Sequence, residues 1–205
     1  MQLKQSDSGT FVEAARRAQL AEAAIRTIAE LGYAKTSFVQ IAARAGVSPG
    51  LVTYHFKTKR RLMQQIVQTV QEDMERTIEA SADSADDHRG GLRALIEGYV
   101  RYCAEHPQRL IAVARIEDND NSGESNREAA IEDFASMLRD GQRAGEFRAF
   151  AVRPMAVTLL AALEVVPVEL AARPDTDVGG YADVLVDAFE RAIVADPTRR
   201  EDAKR

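Results

Sequence analysis

Tryptophan is absent from this sequence, cysteine occurs once, and proline and glycine are sparse, at six and twelve residues in 205. A lone cysteine, Cys103, excludes an intrachain disulfide framework and fits a reducing compartment. No alternating run of β-branched residues reads as a strand, and no apolar run approaches the ~18 residues of a membrane span. The opening residues MQLKQSDSGTF lack the apolar core of a signal peptide, so a cytoplasmic location is expected. Glycine-rich phosphate loops and convincing nucleophile arrangements are missing too. What remains is rich in alanine, 45% hydrophobic and 29% charged, which suits a helical globular protein.

Charge is unevenly spread. Residues 1–62 carry ten Lys/Arg and four Asp/Glu, a net of +6, whereas the rest of the chain is −11. A basic head on an acidic protein suggests that the head alone meets a polyanion.

Helix signals recur along the chain. TFVE at 10–13 reads as a capping box that starts a first helix. Its apolar stripe, Ala21, Ala24, Ile25, Ile28 and Leu31, runs to Gly32. SFVQ gives a second start, with Ser37 as N-cap and Phe38, Ile41, Ala42 and Ala45 facing inward until Gly46. The third starts with Ser48 as N-cap, Pro49 at the first helical position, and Val47 and Val52 as a hydrophobic staple. A long helix follows from Lys59 to about Ala80, then a polar break at 81–91. Five more helices are expected near 92–105, 107–117, 126–144, 153–172 and 178–195. The fold class is therefore all-α, about nine helices, with Pro167 kinking or splitting the helix that holds it.

The second and third of these helices, joined by Gly46-Val47-Ser48, form a helix-turn-helix. On the third, Val52 and Phe56 face inward, while Gly50, Leu51 and Tyr54 point away, flanked by Thr53 and His55. That outward face is small, polar-aromatic and uncharged, which suits insertion into a DNA major groove. Gly50 permits close approach to phosphate, and Thr53, Tyr54 and His55 can bond phosphates or base edges. Leu51 can meet a thymine methyl. Lys59 is placed to clamp a phosphate, with Lys57, Arg60 and Arg61 adding sequence-independent attraction.

Residues 16–62, RRAQLAEAAIRTIAELGYAKTSFVQIAARAGVSPGLVTYHFKTKRRL, resemble the DNA-binding domain of the TetR family of bacterial transcriptional regulators. LGYAKTS, IAARAGVS and YHFKTKRRL carry the resemblance, in the family's order and spacing. It implies an all-helical homodimer, with an N-terminal three-helix head on a palindromic operator and a C-terminal bundle that dimerises and holds an inducer. By position, Ser37 caps the second helix near the DNA backbone, Pro49, Gly50, Leu51, Thr53, Tyr54 and His55 line the recognition helix beside Ser48, and Lys59 contacts phosphate. Thr53 stands where the family often has Tyr, and Pro49 where it often has a polar residue.

The expected division is a DNA-binding domain over 10–62, a ligand-binding and dimerisation domain over 63–197 and a flexible tail over 198–205. The resemblance puts the dimer interface on 155–172 and 181–194, centred on Val166, Leu170, Leu185, Ala188 and Phe189. Pocket candidates are Tyr99, Tyr102, Cys103, Phe134, Leu138, Leu160 and Glu164, the last because an unpaired carboxylate is costly to bury. No catalytic residue, metal or cofactor is expected. DNDNSGESNREA begins like a calcium loop, but its twelfth position falls on Ala129, and Cys103 with His106 lacks further nearby ligands. The leading function is a ligand-responsive repressor that binds its operator as a dimer and is released by a small-molecule inducer. The rival is a helical small-molecule-binding or adaptor protein whose head no longer reads DNA.

Overall fold

The computed structural model describes residues 5–82, 85–120 and 123–194. Ten helical segments are found among them: α1 Gln5–Leu31, α2 Phe38–Ala45, α3 Pro49–Phe56, α4 Lys59–Ala82, α5 His88–Glu105, α6 Pro107–Asp120, α7 Gly123–Ala144, α8 Val152–Glu164, α9 Val166–Ala172 and α10 Val178–Ile193. Segments α8 and α9 are the single helix expected over 153–172, broken at Val165 just before Pro167, so the expected nine are present. An isolated antiparallel bridge joins Phe147 to Val194.

Several boundaries differ from expectation. α1 starts at Gln5, upstream of the Thr10-Glu13 capping box, because such a box lets a helix begin but does not forbid an earlier start. α5 begins at His88, inside the expected polar break. Its first N–H groups find acceptors there: Asp87 Oδ1 takes the Gly90 N–H (2.7 Å), and Glu146 Oε2 takes those of His88 (2.7 Å) and Arg89 (3.3 Å). Val152–Ala172 is, contrary to expectation, long and apolar enough to cross a membrane by length and composition, with mean hydropathy 1.9. The break at Val165 and the carboxylates of Glu164 and Glu169 interrupt it. The tail at 198–205 lies outside the described residues.

The chain divides into two compact units, residues 1–71 with 108–121, and residues 72–107 with 122–205. The first therefore extends past the expected boundary at Leu62 and takes in most of α6. In it, Leu20, Ala24, Ile25 and Ile28 of α1, Ile41 and Ala42 of α2, Val52 and Phe56 of α3, and Leu62, Met63 and Ile66 of α4 are buried. Leu31, expected on the same stripe, is exposed. Arg115 of α6 donates to the carbonyls of Ile28 (2.9 Å) and Ala29 (3.1 Å), closing the C-terminal end of α1.

In the second unit α5 is central, packing against α7, α8, α9 and α10. The α5–α10 contact contains a buried carboxylate, Glu190, that accepts from Arg89 (2.6 Å) and Arg93 (3.0 Å). Burial pushes its carboxyl up, but the Arg89 hydrogen bond and the two guanidinium charges outweigh this and hold it below the usual range. Glu146 is held low as well, chiefly by its hydrogen bond from the His88 ring (2.8 Å).

Replacing Glu190 with Gln should destabilise the protein by about 1–2 kcal/mol at neutral pH. That is less than for a fully enclosed pair, because both arginines are half in solvent. A depressed carboxyl stabilises above its unfolded value of about 4.3, and the benefit fades as pH falls through the lower folded value. Urea unfolding should show a gap between the two proteins at pH 7 that closes in acid.

Candidate nucleic-acid interface

The head's two short helices are set by local chemistry. Ser37 and Gln40 form the complete capping box at α2: the Ser37 hydroxyl accepts from the Gln40 N–H (3.4 Å), and Gln40 Oε1 accepts from the Ser37 N–H (2.8 Å). At the other end Gly46 turns left-handed (φ 68°). Its N–H donates to Ala43 (3.3 Å), and that of Val47 to Ala42 (3.0 Å), in the Schellman pattern. α3 then starts with Pro49 at its first position. Ser48 occupies the N-cap but makes no side-chain capping bond, which corrects the cap expected there.

The inward and outward faces of α3 are as expected. Val52 and Phe56 are buried, Pro49, Gly50, Thr53 and Tyr54 are exposed (Tyr54 by 60%), and Leu51 and His55 are half-buried. The Thr53 hydroxyl donates to the Pro49 carbonyl (3.1 Å), and the Tyr54 ring meets the edge of His55 at 5.2 Å. The Lys57 ammonium lies 5.0 Å from the centre of the Tyr54 ring, so two exposed groups on this face are already paired. Lys57 was legible only as part of the basic cluster; its i, i+3 spacing from Tyr54 was the available signal.

Lys59, expected at a phosphate, also makes a contact within the chain. Its ammonium donates to the Tyr33 carbonyl (2.6 Å) and lies 4.1 Å from the Tyr33 ring centre, where partial burial lowers its pKa. It ties the turn before α2 to the start of α4, with two N–H groups left for an anion. Between α3 and α4 the chain makes a three-residue turn in which the Thr58 N–H donates to the Phe56 carbonyl (2.6 Å). Its central residue, Lys57, has φ 58° and ψ −50°, the strained, positive-φ form of the γ-turn.

The expected pocket residues divide into separate surroundings. Cys103 is buried with its thiol pushed up to about 12 by desolvation, partly offset by a hydrogen bond with Tyr99. The Tyr99 hydroxyl is raised by burial, then by Cys103 and the charge of Glu164. Tyr102, fully buried, instead turns its hydroxyl to Asp73 (3.4 Å) and its ring to His106 (4.6 Å). Leu138 is fully buried, and Phe134 and Leu160 are half-buried. Glu164 lies at the solvent edge, paired with Arg127 (2.8 Å), so it is not a carboxylate awaiting a partner.

The expected dimer residues also differ in their surroundings. Val166, Leu170 and Phe189 are buried in their own chain, Leu185 is half-buried and Ala188 is exposed. The exposed apolar face of these helices is another one: Val165 (50%), Val168 (69%) and Val184 (68%). Along α8 and α9 the positions Pro154, Thr158, Ala161, Val165, Val168 and Ala172 alternate by four and three residues, and all are exposed. That is the spacing of a helix–helix seam.

Two short helices joined by a left-handed glycine, the second offering an uncharged face among basic residues, form a helix-turn-helix. Residues 20–66 match the family model described as bacterial regulatory proteins, tetR family. The helix-turn-helix head of this chain is therefore similar to that of the tetR family. A curated relative, the HTH-type transcriptional regulator BetI of Stenotrophomonas maltophilia (strain R551-3), is 40% identical over 91 residues, 42% of this chain and 45% of that protein. The chain thus matches a little under half the length of this relative.

Solved structures match over a longer span. A TetR-like transcriptional regulator from Rhodococcus sp. RHA1 aligns with a TM-score of 0.72 and 23% identity, over 86% of this chain and 95% of that one. SmeT, the repressor of the Stenotrophomonas maltophilia efflux pump SmeDEF, aligns with a TM-score of 0.71 and 24% identity, over 88% and 91%. At such identities the likeness concerns the fold.

Lys57→Gly should relieve the positive-φ strain and raise the stability of the folded protein by about 1 kcal/mol. Thermal unfolding followed by circular dichroism checks this; an unchanged or lowered midpoint would show that the turn is not strained.

Proposed function

We propose that this protein is a cytoplasmic DNA-binding transcriptional regulator, a repressor that docks on a palindromic operator as a homodimer. Each copy inserts α3 into the major groove, with Tyr54 and His55 at base edges or phosphates. Ser37, Ser48 and the free N–H groups of Lys59 meet the backbone. Two recognition helices of the dimer then occupy successive grooves about 34–36 Å apart. The observation that carries this reading is Gly50. A Cβ placed there would meet only Ser48 Oγ, at 3.9 Å, and the residue's φ is not positive. Among the described residues nothing requires glycine in this helix, where it lowers stability by up to about 1 kcal/mol relative to alanine. Close approach of an outside backbone does require it.

The same reading joins two copies through the exposed seam of Val165, Val168, Val184 and Ala188. It gives the open groove beside them, lined by Phe150, Pro154, Met155 and Ala192, to the partner's helices. It sets a small-molecule inducer among α5, α7 and α8, against Tyr99, Cys103, Phe134, Leu138 and Leu160. SmeT forms a complex with triclosan, and an apolar ligand with one polar group suits these side chains too. An inducer acts only by binding the DNA-incompetent state more tightly than the other.

Gly50→Ala tests the head. It should leave stability equal or up to about 1 kcal/mol higher, yet weaken binding to DNA selected from a random library by tenfold or more in fluorescence anisotropy. Unchanged binding would remove the main support for α3 as the DNA-contacting helix. Val165→Asp tests the seam: sedimentation should find a monomer with unaltered helicity, and a persistent dimer would move the interface elsewhere.

A further inference from the structure

We propose that α3 reads thymine in its operator through the base's 5-methyl group, with Thr53 as the reading side chain. This rests on α3 being the DNA-contacting helix and names the base chemistry it recognises.

The argument begins with what the helix and its cap can offer. Residues 48–56, SPGLVTYHF, contain none of the Arg, Lys, Asn, Gln, Asp or Glu side chains that discriminate guanine, adenine or cytosine by charged or bidentate hydrogen bonds. In its first five residues, Pro49 and Gly50 carry no side-chain donor or acceptor, Leu51 is an aliphatic group half in solvent, and Val52 is buried. Thr53 is the polar member of this stretch, and it is exposed. A threonine hydroxyl has one proton, and here that proton is committed to the Pro49 carbonyl at 3.1 Å. The bond also fixes the stiff β-branched side chain, which leaves the γ-methyl and the oxygen's lone pairs as its outward chemistry.

An aliphatic, conformationally fixed surface has one distinctive partner in the major groove. Thymine is the base that presents a methyl there, and a Thr methyl is among the groups that contact it. Gly50, without a side chain, lets this surface come close enough for van der Waals contact. Tyr54 and His55, one and two residues further along, remain for single hydrogen bonds.

Uridine supplies the test, because exchanging a thymine for 2′-deoxyuridine removes the methyl and preserves base pairing. The operator is the consensus that the full-length protein selects from random duplex DNA. Its thymines are replaced one at a time, and affinity is followed by anisotropy at fixed salt. For the wild type, one or more thymines in each half-site should lose about three- to fivefold in affinity, the effect of one buried methyl. Thr53→Val, which keeps the methyl, should retain that discrimination, and Thr53→Ser, which keeps the hydroxyl, should abolish it. Equal binding of every uridine-substituted operator would overturn the proposal. So would a Thr53→Ser protein that still discriminates, or a Thr53→Val protein that does not. Failure to select any sequence would sink the DNA-binding reading itself, and this inference with it.

Discussion

Everything the head can do depends on burial of two side chains, Val52 and Phe56. α3 is eight residues long, opens with Pro-Gly and holds β-branched and aromatic residues, so it has little stability alone in water. Its position comes from being pinned, through these two side chains, within the first unit. Phe56 is also covered on one side by the Arg17 guanidinium, 5.3 Å from its ring centre. Because packing supplies the stability, the remaining positions are released from helix propensity. That release is why a glycine, a threonine and two aromatic residues can stand in sequence on the outward face.

The head was legible in the sequence because its signals are local. A capping box, a glycine that must be left-handed and a proline at the first helical position each act within four residues, and the structure places them as read. What was missed involved partners far along the chain or on the backbone. Glu146 completes the start of α5 from 58 residues away, and Lys59 is held by the carbonyl of Tyr33, an acceptor that no side-chain pattern reveals. Ser48 has the right residue type for a cap, yet its hydroxyl is not used as one.

The second unit was harder to read for a different reason. On α8 and α9 much of the outward face is apolar as well as the inward one, and α10 adds an exposed Val184, so hydrophobicity marks the helices without saying which side is the core. Val166, Leu170 and Phe189 turn inward, and Val165, Val168 and Val184 outward. Glu164 is at the solvent edge, and a single sequence position cannot show the arginine, 37 residues earlier, that meets it there. Among the described residues a buried charge is found at Glu190, in an amphipathic helix, where Arg89 and Arg93 make it tolerable.

The first compact unit is assembled from two stretches, 1–71 and 108–121, with part of the second unit's chain between them. Arg115, which closes the end of α1, belongs to the later stretch. During synthesis the helix-turn-helix therefore emerges well before the helix that completes its unit. Until α6 has left the ribosome, the carbonyls of Ile28, which also accepts from the Gly32 N–H (2.9 Å), and Ala29 do without the Arg115 guanidinium. Gene fusions or truncations that end within α4 would keep every residue of the outward face of α3 and still deliver an unfinished head.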